Sequence, residues 1–199
     1  AIADIGCAIG SFPNYLNNRF IDFDVYGFEF LESLVKVGQK TFPDVNILRA
    51  DIIDSCTWNK YIEKFDIVTM LGVLSIFDNI EPPLENIYKI LKKKKGKILI
   101  HGMFNPYPVD VFIKYSFSNN SAFNHLESGW NIVSQETIKK QLGEIGFYGI
   151  KFHEFSIDVD LPKQDDPIRS WTEVLENGEK QIINGLCIKQ PQFILEATA

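Results

Sequence analysis

Short apolar runs alternate with segments of helical period along the first hundred residues. The runs Ala1–Ile5, Asp24–Phe28, Asn46–Arg49, Phe65–Leu71 and Lys97–His101 are brief and nearly unbroken, which is the pattern of parallel strands covered on both faces. Between them, apolar residues recur at helical spacing over Ser11–Phe20, over Leu31–Thr41 with a stop at Pro43, briefly over Trp58–Glu63, and over Pro82–Lys92. Strands and helices alternating at these lengths predict right-handed βαβ crossovers and a parallel sheet, an α/β fold.

The rhythm changes after His101. Residues 102–133 are rich in aromatics, Asn, Pro and Ser, too long for an ordinary connection, and read as a lid-like insertion. A helix follows at Ser134–Ile145, with Ser134 as N-cap and Gly146 as stop. Tyr148–Ile157 alternates as a strand does, 158–168 is a polar loop, Ile182–Ile188 reads as a further short strand, and Gln192–Thr198 as a closing strand. No repeat or linker divides the chain, so residues 1–199 read as one domain.

Composition narrows the partners. The chain has 199 residues, 45% of them hydrophobic, and a net charge of −6, which suits one folded domain and weighs against nucleic acid or an anionic membrane. Lys92–Lys95 with Lys97 is a solvated cluster at a helix C-terminus rather than a binding platform. No apolar run approaches the ~20 residues of a membrane helix, and the first residues lack the basic region of a secretion signal. Cys7, Cys56 and Cys187 are dispersed and without a CxxC pair, as free thiols of a reducing cytoplasm are. Asp158, Asp160, Asp165 and Asp166 read as a solvated acidic loop, and no metal is expected.

Candidate chemistry begins at Asp4-Ile5-Gly6-Cys7-Ala8-Ile9-Gly10, between the first strand and the first helix. Small residues at 6, 8 and 10 let the chain turn sharply and let a ligand lie against backbone N–H groups. A dinucleotide loop has its glycines as G-x-G-x-x-G. Here the small residues alternate, with an acid two positions before the first. That arrangement resembles the S-adenosylmethionine loop of class I methyltransferases. Glu29 in VYGFEF, Asp51 in ILRADII and the segment FDIVTMLGVLSIFD extend the resemblance at the expected intervals.

The resemblance implies a Rossmann-like, seven-stranded, mostly parallel sheet with helices on both faces and an antiparallel closing strand, here FILEAT. It implies S-adenosylmethionine as cofactor, cradled by Asp4, Gly6, Cys7, Ala8 and Gly10. Glu29, next to Phe30, would accept the ribose hydroxyls, and Asp51 with Ile52 would meet the adenine. Met70 and Leu71 would offer carbonyls to the methionine ammonium, with Gly72 beneath the methyl. Simpler readings stand beside these: Glu29 as an acid at a helix N-terminus, and Asp51 as a turn residue. Ala8 departs from the family's usual glycine, and Ser75-Ile76 replaces its frequent acid-His pair. The family usually carries helices before the glycine-loop strand, so cover helices are expected to precede Ala1.

For catalysis, His101 is the first candidate base, at the carboxyl end of the fifth strand where open α/β sheets bind ligands; a histidine that only satisfies strand-end hydrogen bonds is the competing reading. His125 and Glu127 are secondary, and His153 reads as structural. Asn105-Pro106-Tyr107 follows the fifth strand and lacks a proline, so it is not the Asn-Pro-Pro-Tyr motif of amino-group methyltransferases. Phe104, Tyr107, Tyr115, Phe117, Phe123 and Trp130 would form an apolar acceptor wall, with simple packing of the insertion as the alternative. The expected activity is methyl transfer to oxygen or nitrogen of a small polar metabolite or a sugar-type acceptor, a sugar nucleotide included. A non-catalytic S-adenosylmethionine-binding domain is the alternative, and an NAD-dependent oxidoreductase is disfavoured by the loop spacing.

Overall fold

The computed structural model describes residues 1–118, 126–154, 156 and 159–199. The predicted alternation forms β1 (Ile2–Ile5), α1 (Ser11–Arg19), β2 (Val25–Glu29), α2 (Glu32–Thr41), β3 (Asn46–Arg49), β4 (Ile67–Leu71), α3 (Glu81–Ile90) and β5 (Lys97–Asn105). Two single-turn 3-10 helices, Thr57–Tyr61 and Leu74–Ile76, flank β4. The insertion contains the two-residue strands β6 (Lys114–Tyr115), β7 (Glu127–Ser128) and β8 (Val133–Ser134). Then come α4 (Gln135–Ile145), β9 (Tyr148–Glu154), the hairpin β10 (Trp171–Val174) and β11 (Lys180–Ile183), and β12 (Gln192–Thr198).

The main sheet runs β3-β2-β1-β4-β5-β12-β9. Strands β3 to β5 are parallel, and β12 is antiparallel to both β5 and β9. This is the Rossmann-like sheet with an antiparallel strand that the sequence led us to expect. Strand order reverses between β1 and β4, and such a reversal opens a crevice at the carboxyl ends of the strands.

Alternate residues of each strand serve different cores, because successive side chains point to opposite faces. Ala3, Ile5, Phe28, Val68, Met70, Ile98 and Ile100 join Leu84, Ile87 and Ile90 of α3 and Ile138 and Leu142 of α4 in the large core. On the other face Ile2 and Val25 pack with Leu16 of α1, and Cys7, Val45 and Ile47 with Val35 of α2. Helices therefore cover both faces. Among the described residues, no helix is long and apolar enough to cross a membrane.

Three local readings change. The expected helix at Trp58–Glu63 is the 3-10 turn Thr57–Tyr61, and the strand expected at Ile182–Ile188 is Lys180–Ile183; the late strand is described over Tyr148–Glu154, and Phe155 and Ile157 of its expected span lie outside the described residues. The fifth strand does not end at His101 but continues to Asn105. Its neighbour β4 ends opposite His101, at Leu71, and β8 then replaces it, pairing Phe104 with Val133. Both edges of β5 thus keep hydrogen-bond partners past the point where its apolar run stops.

Candidate active site

The loop after β1 turns through three left-handed residues, Gly6 (φ 75°), Ala8 (φ 49°) and Gly10 (φ 87°). A side chain at 6 would collide with Val73, and one at 10 with Ile47. Ala8 adopts the same hand with its methyl group exposed to solvent, at a cost of about 1–2 kcal/mol relative to ordinary backbone. Four of the loop's N–H groups are engaged within the protein. Gly6 and Cys7 donate to the Phe28 carbonyl at 2.7 and 3.1 Å, Gly10 donates to the Cys7 carbonyl at 2.8 Å, and Ala8 donates to Glu29 Oε2 at 3.0 Å. These four N–H groups are therefore not open to a ligand. Phe28 and Glu29 at the end of β2 take the donors that a phosphate nest would need.

Glu29 is 8% exposed. Its Oε2 accepts from Ala8, and its Oε1 accepts from Leu31 N–H at 2.9 Å. A carboxylate has about four lone-pair positions, so acceptor capacity remains on the side that lines a cavity of about 410 Å³. Gly6, Phe30, Asp51 and Ile52 line the same cavity, with Ile53, Trp58, Val73, Ile76 and Phe77 as its apolar walls. Asp51 is also the turn residue of the simpler reading, since its Oδ1 accepts from Ile53 N–H at 3.0 Å. Two buried side chains fix that turn: Trp58 Nε1 donates to the Asp51 carbonyl at 2.9 Å and Asn86 Nδ2 to the Ile52 carbonyl at 2.7 Å.

Asp4 lies beneath the loop, 4% exposed. Burial pushes its carboxyl up to about 6, against the smaller opposing effect of the Thr69 hydroxyl, which donates to its Oδ1 at 2.6 Å. Cys7 packs over Gly27. Burial, then the neighbouring Asp4 and Glu29, push its thiol up to about 12, so it stays protonated at neutral pH.

A second cleft, of about 180 Å³, opens over β4 and β5 and is lined by Gly72, Ser75, His101, Gly102, Met103, Trp130, Ser170, Gln190 and Gln192. Residues 72–76 stand between the two cavities: Val73 and Ile76 face the first, Gly72 and Ser75 the second. Gly72 N–H donates to the His101 carbonyl at 2.9 Å, and His101 Nε2 lies 2.8 Å from Gln192 Oε1.

Residues 3–98 match the model of a methyltransferase domain. The match covers just under half of the chain. Around it, the whole sheet has the fold of S-adenosylmethionine-dependent methyltransferases of known structure. An Archaeoglobus fulgidus S-adenosylmethionine-dependent methyltransferase is 20% identical with a TM-score of 0.61, over 100% of this chain and 85% of that one. A Thermotoga maritima protein described as a possible histamine N-methyltransferase is 17% identical with a TM-score of 0.56, over 99% and 81%. Haemonchus contortus phosphoethanolamine N-methyltransferase 2, bound to phosphomonomethylethanolamine and S-adenosylhomocysteine, is 18% identical with a TM-score of 0.57. The match covers 77% of this chain and 34% of that one, so this chain spans about a third of the Haemonchus protein. No curated protein is similar in sequence.

Along the chain, the predicted residues divide. Gly6, Glu29, Phe30, Asp51 and Ile52 meet at the first cavity, and Gly72 and His101 at the second. Ala8 and Gly10 shape the loop, whereas the side chains of Asp4, Cys7 and Met70 are buried beneath it and Leu71 is exposed. The acceptor wall is largely corrected. Phe104 is in the core against Phe152, Tyr107 is 72% exposed, and Tyr115 donates to Glu127 at 2.8 Å and meets Phe117 edge to face. Trp130 alone of that set lines the cleft. Phe123, His125 and Asp158 lie outside the described residues. Sequence reasoning missed Trp58, Ser170, Gln190 and Gln192. A lone Trp in the polar stretch after Asp51 is the one signal that pointed to any of them.

Proposed function

We propose that the chain binds S-adenosylmethionine in the first cavity and directs its methyl group to oxygen or nitrogen of a small polar acceptor, of sugar type, held in the second cleft. The observation that carries this reading is Glu29. It is a fixed carboxylate with acceptor capacity beside the cavity, next to a loop whose Gly6, Cys7, Ala8 and Gly10 N–H groups are already engaged. A vicinal diol suits that site, and a pyrophosphate does not. The apolar walls from Ile52, Ile53, Trp58 and Phe77 suit a flat heteroaromatic ring.

Bound S-adenosylmethionine supplies a methyl group made electrophilic by its sulfonium, with a neutral thioether as leaving group. The protein's work is alignment in a water-poor cleft. Gly72 presents no side chain to the second cleft. Ser75, Gln190 and Gln192 hold the acceptor, and His101, placed by Gln192, takes the proton that the acceptor oxygen or nitrogen releases.

The test is transfer of a labelled methyl group from S-adenosylmethionine to neutral sugars and small amines. Product formation that falls at least tenfold in His101→Ala, with cofactor affinity unchanged, supports the assignment. Cofactor binding without transfer to any acceptor favours a non-catalytic binding domain.

A further inference from the structure

Two separate insertions roof the cleft that holds His101. Trp130 comes from the segment between β5 and α4, while Ser170 and Gln190 come from the segment between β9 and β12. The insertions meet each other where Gly129 lies against Leu186 and where Ile113 and Ile132 face Asn184 and Ile188 across a narrow gap.

Gln190 is 7% exposed. Its N–H donates to the Ile182 carbonyl at 2.9 Å, its carbonyl accepts from Gln192 Nε2 at 3.2 Å, and its Oε1 accepts from Ser170 Oγ at 2.8 Å. Its Nε2 has no acceptor among the described residues, and it is not sealed away, because no wholly buried side-chain nitrogen or oxygen there lacks a partner. The amide N–H2 thus opens into the cleft. Gln192 then spans the Gln190 carbonyl and His101 Nε2, so the amides and the imidazole form one connected set. Trp130 adds an aromatic surface, and Ser75 adds a hydroxyl from across the cleft.

Among the described residues lining this cleft there is no carboxylate, lysine or arginine. A cationic acceptor would lose its water there without gaining a counter-charge, which is costly, and an anionic one would meet only the imidazole of His101. A hydroxyl can donate to an amide oxygen and accept from an amide N–H2. The cleft's 180 Å³ holds about six waters at roughly 30 Å³ each, the size of one small ring.

Resting on the methyl-transfer reading above, we propose that the acceptor is an uncharged, hydroxyl-rich ring, and that Ser170, Gln190 and Trp130 are its specificity-determining residues. The test is NMR titration of the full chain, with and without S-adenosylhomocysteine, using methyl glucopyranoside and myo-inositol against histamine and phosphoethanolamine. At least one polyol should bind about tenfold more tightly than either charged compound. Gln190→Ala should weaken polyol binding about fivefold, and Gln190→Glu should shift the preference toward histamine. Both variants should keep the wild-type affinity for S-adenosylhomocysteine, which also reports an intact fold. Charged compounds binding as well as the polyols, no polyol binding, or variants that leave the order unchanged would overturn the proposal. Failure of S-adenosylhomocysteine to bind would instead remove the methyl-transfer reading, and the arm without it still decides the selectivity of the cleft.

Discussion

Glu29 holds Ala8: the carboxylate Oε2 accepts the Ala8 N–H at 3.0 Å, tying the end of β2 to the tightest part of the loop after β1. The second oxygen, Oε1, accepts from Leu31 N–H at the start of α2. One side chain therefore ties both backbone segments together and lines the first cavity.

Replacing Glu29 tests both roles. Glu29→Ala strands two backbone donors, at about 1–3 kcal/mol each, and should unfold at markedly lower denaturant. Glu29→Gln keeps one acceptor oxygen but sets its N–H2 against the other backbone donor, and should lose about 1–3 kcal/mol. Its affinity for S-adenosylhomocysteine should nevertheless drop about tenfold or more, because a carboxylate accepts hydrogen bonds more strongly than an amide does. Urea denaturation and calorimetry separate the two effects.

The loop's backbone gives a second prediction, on stability alone. Ala8→Gly removes the left-handed penalty of about 1–2 kcal/mol but gives the unfolded chain more freedom, worth about 0.4–1 kcal/mol. The variant should be as stable as wild type or up to about 1.6 kcal/mol more stable. Gly6→Ala should be destabilised by about 1–3 kcal/mol, through both its positive φ and its collision with Val73. Thermal melts of the pair decide it.

Much of this geometry was legible because local patterns dictate it. The apolar runs gave all five parallel strands, and the alternating small residues gave a loop whose left-handed positions are 6, 8 and 10. Glu29, Asp51 and Ile52 met at one cavity because each follows its strand at the same edge of the sheet. What was not legible depends on tertiary partners. The loop N–H groups could not be assigned to Phe28 and Glu29 without the pairing of β1 with β2. The extension of β5 depends on β8, a strand of only two residues. Ser170 and Gln190 reach His101 from a polar insertion without periodicity, so no spacing announces them.

Asp4 makes stability depend on pH. Its carboxyl titrates near 6 in the folded chain, above the ordinary 3.8. The fold therefore favours the protonated acid. That contribution is fully present below about pH 3.8 and is lost as pH rises through about 6. At 1.36 kcal/mol per unit the loss is roughly 3 kcal/mol. Asp4→Asn retains an oxygen to accept from Thr69 and carries no charge. The gain in stability of the variant over wild type should be small at pH 4 and grow to about 1–3 kcal/mol by pH 7.5, as read by chemical denaturation across that range.

The thiols should differ in reactivity. Cys56 and Cys187 are exposed, while Cys7 is buried with its thiol pushed up to about 12. Native protein at pH 8 should therefore react rapidly with a disulfide reagent at Cys56 and Cys187. Cys7 should react only on unfolding. Mass spectrometry of the labelled peptides gives the answer directly.

The central claim is that the cavity beside Glu29 takes S-adenosylmethionine rather than a nicotinamide dinucleotide. Calorimetric titration of the chain with S-adenosylhomocysteine and, separately, with NAD tests it most directly. One site for S-adenosylhomocysteine, weakened in Glu29→Gln, and no detectable heat with NAD is the predicted result. Tighter binding of NAD, or an affinity for S-adenosylhomocysteine untouched by Glu29→Gln, would contradict it.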